Sequence, residues 1–249
     1  FETDSPDYNI EVRFFTPTTE VPICGHATIA AHYVRAKERN MEGGTVVQKT
    51  KAGILPVEVV RTLSDYSITM TQGTPAVSAP FGDAVRERIA DALGIAHEEI
   101  CREYPVAVAS TGHSKVMVPL YSNELLHGLR PDLQKLTKIS KQIECNGYYV
   151  FTLNPQNKIL VHGRMFAPAI GIAEDPVTGN ANGPLGAYLV HFNILQEEDA
   201  PCFDFDILQG EAIKRDGTMH VHVEKEHGAP KLVQITGNAV IAFSTEIAI

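Results

Sequence analysis

Glu174-Asp175-Pro176-Val177-Thr178-Gly179-Asn180-Ala181-Asn182-Gly183 runs without a break into Pro184-Leu185-Gly186-Ala187-Tyr188-Leu189-Val190. The first part reads as a carboxylate pair, a proline turn and a glycine- and asparagine-rich bend. The second reads as an apolar helix. Proline is acceptable only in a helix's first turn, where a missing N–H costs nothing. The helix is therefore expected to start near Asn180 to Gly183 and to run to about Asn193. Its free N–H groups and partial positive charge make an anion site that points back at the Asp175 loop. Asp175 is a candidate acid or base there.

An earlier stretch repeats the pattern. Arg13-Phe14-Phe15-Thr16-Pro17 precedes Cys24-Gly25-His26-Ala27 and the run Thr28-Ile29-Ala30-Ala31-His32-Tyr33-Val34; Arg164-Met165-Phe166-Ala167-Pro168 precedes Thr178-Gly179-Asn180-Ala181 and the second run. Both halves read Arg-x-Phe-x-Pro, loop, x-Gly-(His/Asn)-Ala, helix. Such self-similarity sets architecture. Two like domains related by a pseudo-twofold axis are expected, with the two helix starts facing one cleft.

Around these stretches, Asn9 to Phe14 alternates as a strand, and a helix is expected from about Ala27 to Arg39. That helix is alanine-rich and apolar on nearly every side in its first part, so it should be enclosed by a curved sheet. Strands are expected at 45–49, 55–60, 66–71, 106–110, 115–120, 148–153, 159–166, 203–208, 220–223, 232–236 and 240–243. Asp83 to Leu93 reads as a helix capped by Asp83, with Ala84, Ile89, Ala92 and Leu93 inward and Gly94 at its end; Pro131 to Gln142 reads as an amphipathic helix. Without regular βαβ alternation, a doubly wound sheet is disfavoured and the class is α+β. The first domain is expected over 1–75, with a last strand near 238–249 returning to it, and the second over 76–237.

The 249 residues, 44% hydrophobic and 20% charged, suffice for one large domain or two ordinary ones. A net charge of −9 without a lysine/arginine cluster argues against nucleic acid as a partner. No apolar run is long enough to span a membrane as a helix. No signal peptide is legible in Phe1-Glu2-Thr3-Asp4. Because no Met opens the chain and Phe1 lies beside a strand, a further N-terminal segment is expected upstream. Cys24, Cys101, Cys145 and Cys202 are scattered, which favours reduced thiols in a cytoplasmic protein over a disulfide framework or a zinc site.

Each candidate has a plainer alternative. Asp175 before Pro176 could be only a turn residue, but its place at a helix mouth in a repeated motif favours a functional role. Held by N–H groups it would be acidified; buried in an apolar cleft it would be the reverse, and the residues leave both open. His26 occupies the repeat position of Asn180, so a site is favoured over a cap; its imidazole could bind a carboxylate or relay a proton. Cys24 suggests a thiol epimerase, but the matching loop Asp175 to Gly179 has no second thiol, so a wall residue is favoured. Gly25 and Gly179 permit the turns and bare the N–H groups alike. His220 and His222 share a strand face, with no carboxylate or cysteine cluster evident to complete a metal site. His113 is kept as a residue that could face substrate, and Glu197-Glu198-Asp199 as a solvated loop. No metal site is assigned. Dinucleotide and P-loop signatures are absent.

Phe15-Thr16-Pro17, Val21-Pro22-Ile23-Cys24-Gly25-His26-Ala27-Thr28, Thr111-Gly112-His113-Ser114-Lys115 and Glu174 to Ala181 together resemble the phenazine-biosynthesis PhzF-like family, in particular its YddE-type members. The resemblance covers essentially the whole chain. It implies the diaminopimelate epimerase fold, two similar domains each a β-barrel around a central helix, with the active site between them. It implies a homodimer and an isomerase without cofactor; the family's characterised member acts on trans-2,3-dihydro-3-hydroxyanthranilate through acid/base proton transfer. His26 and Asp175 match the family's histidine and aspartate. Asn180 stands where the phenazine enzymes have serine. The family's acid/base glutamate belongs to an S-E-T-like motif just before the first strand. That motif is absent here, and Glu2 lies near its place without its context.

The expected function is therefore isomerisation or epimerisation of a small carboxylated cyclic or amino-acid-like substrate. Asp175 and His26 would handle protons, and Gly25, Ala27, Gly179, Asn180 and Ala181 would bind the acid. The alternative is a catalytically weak or inactive binding homologue, motivated by the missing glutamate motif and by Asn180.

Overall fold

The computed structural model describes residues 1, 3–15, 20–195 and 200–246. Glu2, the Thr16-Pro17 end of the first repeated motif, the stretch Glu197-Glu198-Asp199 and the last three residues lie outside these. Internal contacts divide the chain into two units, Phe1–Thr71 with Thr236–Ile249, and Gln72–Ile235.

The first unit contains β1 (Ile10–Glu11), β2 (Phe14–Phe15), β3 (Glu20–Val21), α1 (Gly25–Glu38), β4 (Gly44–Thr50), β5 (Gly53–Arg61) and β6 (Tyr66–Thr71). The alternating run at Asn9 to Phe14 is two strands. β1 pairs parallel with β4, whereas β2 pairs antiparallel with β3, so the chain breaks between them to serve two sheets. β4, β5 and β6 follow as an antiparallel meander. α1 buries Thr28, Ile29, His32, Tyr33 and Ala36, one stripe at helical spacing, and leaves Ala31 exposed. Among the described residues, cover is therefore seen on one stripe of the helix. Alanine has too little surface to demand cover, so the large residues Ile29 and Tyr33 choose the packed face.

The second unit contains β7 (Ala76–Val77), α2 (Asp83–Leu93), β8 (Ala107–Ser110), β9 (Ser114–Pro119), α3 (Asn123–Gly128), α4 (Leu133–Ile143), β10 (Tyr148–Leu153), β11 (Ile159–Ala167), β12 (Ile172–Asp175), α5 (Gly179–His191), β13 (Cys202–Gln209), β14 (Gly217–Glu226) and most of β15 (Ala229–Gly237). The strand order is β7-β8-β9-β10-β11-β13-β14-β15, with β12 on β11. β9/β10 and β11/β13 are parallel pairs; β7/β8, β8/β9, β10/β11 and β13/β14 are antiparallel. α5 touches β7, β8 and β9 and also β13 and β14, strands at opposite ends of that order. A sheet with strands about 4.8 Å apart must curve around the helix to allow this. The inner face carries Met117, Tyr149, Phe151, Phe205, Ile207, Val221 and Val223. Their sequence neighbours Val116, Val118, Tyr148 and Val150, together with Phe166 of β11, point outward to a second core under α2 and α4.

Several boundaries differ from the expectation. α2 is capped by Gly82, and Asp83 is its first residue; Ala84 is exposed and Ala90 is buried in its stead. α4 starts at Leu133 behind the cap Asp132, whose side chain accepts from the Gln134 and Lys135 N–H groups, so Pro131 precedes the helix. α3 and β12 have no sequence counterpart above. Val240 and Phe243 are exposed and outside any strand, because β15 ends at Gly237.

The correction that matters most is at α5. It begins at Gly179, so Pro184 lies in its second turn and supplies no N–H for the Asn180 carbonyl. A helix-interior proline costs about 3 kcal/mol. Burial outweighs this: Leu185, Tyr188, Leu189 and Val190 are each at most 1% exposed, at about 2 kcal/mol per large side chain.

Two measurements test this packing. A Cβ at Gly186 would lie 2.8 Å from both Val221 Cγ1 and Val223 Cγ2, so Gly186→Ala should lose about 1–3 kcal/mol in denaturant unfolding. His32 is buried with Nε2 3.0 Å from Gln48 Oε1, and burial holds its pKa below 6.5. Below that pH the unfolded chain takes a proton that folded His32 refuses. Stability from this group is therefore full above about pH 6.5 and falls as acid is added. His32→Gln should flatten that decline in melts between pH 7 and 5.

Candidate functional site

Both halves of the repeat are built on one device. Arg13 Nε and Nη2 donate to Glu20 Oε1 and Oε2 at 2.8 and 3.0 Å, and its guanidinium lies 5.0 Å from the Phe15 ring centroid. Arg164 Nε and Nη2 donate to Glu174 Oε1 and Oε2 at 2.9 and 2.7 Å, with the guanidinium 5.0 Å from the Phe166 centroid. In each half a two-pronged fork fastens the arginine's segment to the segment leading into the helix. Each helix also starts alike. Thr28 Oγ1 donates to the Cys24 carbonyl and Asn182 Nδ2 to the Thr178 carbonyl, both at 2.9 Å.

The carboxylate pair is thereby divided. Glu174 is spent on Arg164, which is 6% exposed and also donates to the Leu126 and Leu129 carbonyls. Asp175 is half-buried at the end of β12, opposite Met165 of β11. Its Oδ2 accepts from the Thr178 hydroxyl, and Oδ1 has no hydrogen-bond partner among the described residues.

Gln209, fully buried at the end of β13, fixes this loop. Its Nε2 donates to the Asp175 carbonyl at 2.7 Å and to Thr178 Oγ1 at 3.0 Å. Its Oε1 accepts from the Thr178 N–H at 3.2 Å and from Asn182 Nδ2 at 3.0 Å. Tyr149 OH donates to Asn182 Oδ1, and burial holds that phenol far above its ordinary pKa, fixing it as a neutral donor. Gln209 makes all four of its hydrogen bonds and Asn182 makes three, so the mouth of α5 is held in one arrangement.

Of the N–H groups expected to receive an anion at α5, one is already engaged. The Ala181 N–H bonds the Thr178 carbonyl at 3.1 Å, so Ala181 donates nothing to a ligand. The Gly179 and Asn180 N–H groups have no acceptor among the described residues. Lys115, missed as a functional candidate, supplies a cation. It is 8% exposed on β9 and donates to the Ser114 carbonyl at 3.1 Å. Burial lowers its pKa; the Cys145 thiol and the Asp175 carboxylate act in the opposite direction. A lysine opening a strand of buried residues was the signal available in sequence. His113 is an exposed residue, its imidazole held below 6.5 by desolvation and then by Lys115.

In the first unit, Cys24 is the cap of α1, Gly25 begins it, and His26 is exposed. Cys24 Sγ lies 3.6 Å from His26 Nε2, so the cysteine is a neighbour of the histidine. Gly25 and Ala27 N–H groups have no acceptor among the described residues.

Two clusters could hold a metal: His127, His162 and Glu211, and Cys202, Asp204 and His222. The second corrects the reading of His220 and His222 as lacking partners. His222 Nδ1 lies 2.7 Å from Asp204 Oδ1, and His220 Nδ1 lies 2.9 Å from Asp206 Oδ1. Antiparallel register brings these together from the neighbouring strand, which spacing within β14 cannot reveal.

Replacing Lys115 by Met removes a buried cation with one described hydrogen bond. The variant should melt higher, by about 1 kcal/mol or more of stability, and should bind small carboxylates less tightly. A Met variant that is no more stable would remove the case for a functional lysine.

The family model for phenazine biosynthesis-like protein (PhzC-PhzF) matches residues 1–245. An uncharacterized isomerase of Clostridium acetobutylicum is 50% identical over 99% of this chain and 82% of its own length. The uncharacterized isomerase YddE of Escherichia coli is 47% identical over 100% and 83%. The trans-2,3-dihydro-3-hydroxyanthranilate isomerase of Pseudomonas fluorescens is 29% identical over 92% and 76%. The crystal structure of a Bacillus anthracis phenazine biosynthesis protein of the PhzF family superposes with a TM-score of 0.86 at 29% identity, covering 99% of this chain and 83% of that one. With the Arg forks, the locked helix start and the matched motifs in place, this chain belongs to the phenazine biosynthesis-like PhzF family.

Proposed function

We propose that this chain, an isomerase by family, moves a proton on a small carboxylated cyclic or amino-acid-like substrate by acid/base chemistry that needs no cofactor. The observation that carries the proposal is the half-engaged carboxylate of Asp175. Thr178 holds one oxygen in place while the other is left for a proton. The Gly179 and Asn180 N–H groups at the start of α5 suit a substrate carboxylate, and Lys115 adds positive charge nearby. Removal of a C–H proton to Asp175 leaves the electron pair to spread towards the substrate's carboxyl group or double bond. Return of the proton to another carbon, or to the other face, completes the isomerisation. His26 is the matching group of the first unit, with Gly25 and Ala27 as further donors. The small carboxylated ring in the name of the Pseudomonas fluorescens relative supports the substrate class.

The finer fold reading, a barrel around the helix in the manner of diaminopimelate epimerase, is supported by strands from both ends of the second unit's sheet touching α5. The proposal includes a homodimer in the cytoplasm, the former by family resemblance. Nucleic acid and membrane are not proposed as partners. The net charge is −9, and no described helix is long and apolar enough to cross a membrane.

Incubation with carboxylated metabolites in D₂O should put deuterium on carbon for the true substrate. Asp175→Asn should cut that exchange by about 10²-fold or more while the substrate still binds. Unchanged exchange in Asp175→Asn would end the assignment. Binding without exchange across the substrate class, in the unsubstituted protein, would make it a binding homologue.

A further inference from the structure

The geometry points to a divalent transition-metal site formed by His127, His162 and Glu211, distinct from the Asp175 loop. His127 lies in the last turn of α3, His162 on the outward face of β11, and Glu211 opens a short 3-10 turn after β13. Glu211 Oε2 lies 2.7 Å from His162 Nδ1 and 3.2 Å from His127 Nε2. One ligand atom from each residue falls within 4.8 Å of the others. The side chains are 37%, 14% and 27% exposed, accessible enough to load and shielded enough to compete with water.

The donor set selects the ion. Two imidazoles and a carboxylate suit Zn²⁺, Co²⁺ or Ni²⁺; Ca²⁺ and Mg²⁺ favour all-oxygen shells. Tetrahedral bonds of about 2.0–2.2 Å place ligand atoms roughly 3.3–3.5 Å apart. His127 and Glu211 already stand near that spacing, and His162 need retreat by under about 1 Å. Three protein ligands leave one position for water. A plain hydrogen-bond bridge, in which Glu211 Oε2 accepts from both imidazoles, is the competing account that the titration below separates from a metal site.

The Cys202, Asp204 and His222 cluster is the weaker candidate. Asp204 and His222 are direct cross-strand partners, so β13/β14 pairing alone explains their contact. His127, His162 and Glu211 come from three separate elements. An ion there would fasten α3 to β11 and to the turn beginning at Gly210. In that turn a Cβ at Gly210 would meet the Pro176 carbonyl at 2.7 Å, and Gln209 precedes it. The site would thus brace the support of the α5 mouth from outside.

The test is Co²⁺ titration of the chelator-treated full chain, read by visible d–d absorption and reversed by Zn²⁺. The expected result is a saturating single equivalent, weakened about tenfold or more in His162→Gln and Glu211→Gln and unchanged in Cys202→Ser. Absence of saturable binding overturns the site. So does loss of binding in Cys202→Ser with retention in His162→Gln. Should the histidine variant not fold, substoichiometric Co²⁺ in the unsubstituted protein should broaden the His127 and His162 imidazole resonances first. Broadening that begins at His220 and His222 refutes the assignment.

Discussion

A single buried carboxamide, Gln209, holds the mouth of α5 together. It donates twice and accepts twice, joining the end of β13 to Asp175, Thr178 and Asn182. In a buried environment each of these bonds is strong and each unmade one is costly. A loop rich in glycine, asparagine and proline would otherwise have many conformations. Here it has one, because every alternative leaves an amide group dry and unpaired.

The Arg164 fork does complementary work. A buried ion pair is not a dependable source of stability, since desolvation offsets attraction. Its consequence here is allocation. Glu174 is committed to Arg164, while Asp175, next in sequence, keeps an oxygen without a described partner. Adjacent strand residues point to opposite sides, so two neighbouring carboxylates acquire separate jobs. The Arg13–Glu20 fork reproduces the bond pattern atom for atom in the first unit. The duplication read in the sequence is therefore also a duplication of hydrogen bonds.

The two helices differ in what surrounds them. α5 is buried on every side and keeps an interior proline; α1 buries one stripe. Tolerance of Pro184 follows from that burial, which rewards the helix for persisting where propensity alone would stop it.

The sequence alone determined the repeat, the two apolar helices, most strands and the family, because hydrophobic period, glycine turns and the C-G-H-A-T and E-D-P-V-T-G motifs are local or ordered along the chain. It also pointed to Asp175, His26 and Gly179. Tertiary structure decided that Gln209 and Tyr149 brace the mouth of α5 and that Ala181 is already paired. It also decided that Glu174 belongs to Arg164, that Lys115 is a buried cation, and that His127, His162 and Glu211 converge. Apart from the Ala181 pairing, a local turn bond to Thr178, each of these depends on strand register or on contacts between separate elements. A one-residue slip in pairing would turn every such side chain to the other face, and nothing in the local pattern near those residues records which register the whole sheet adopts.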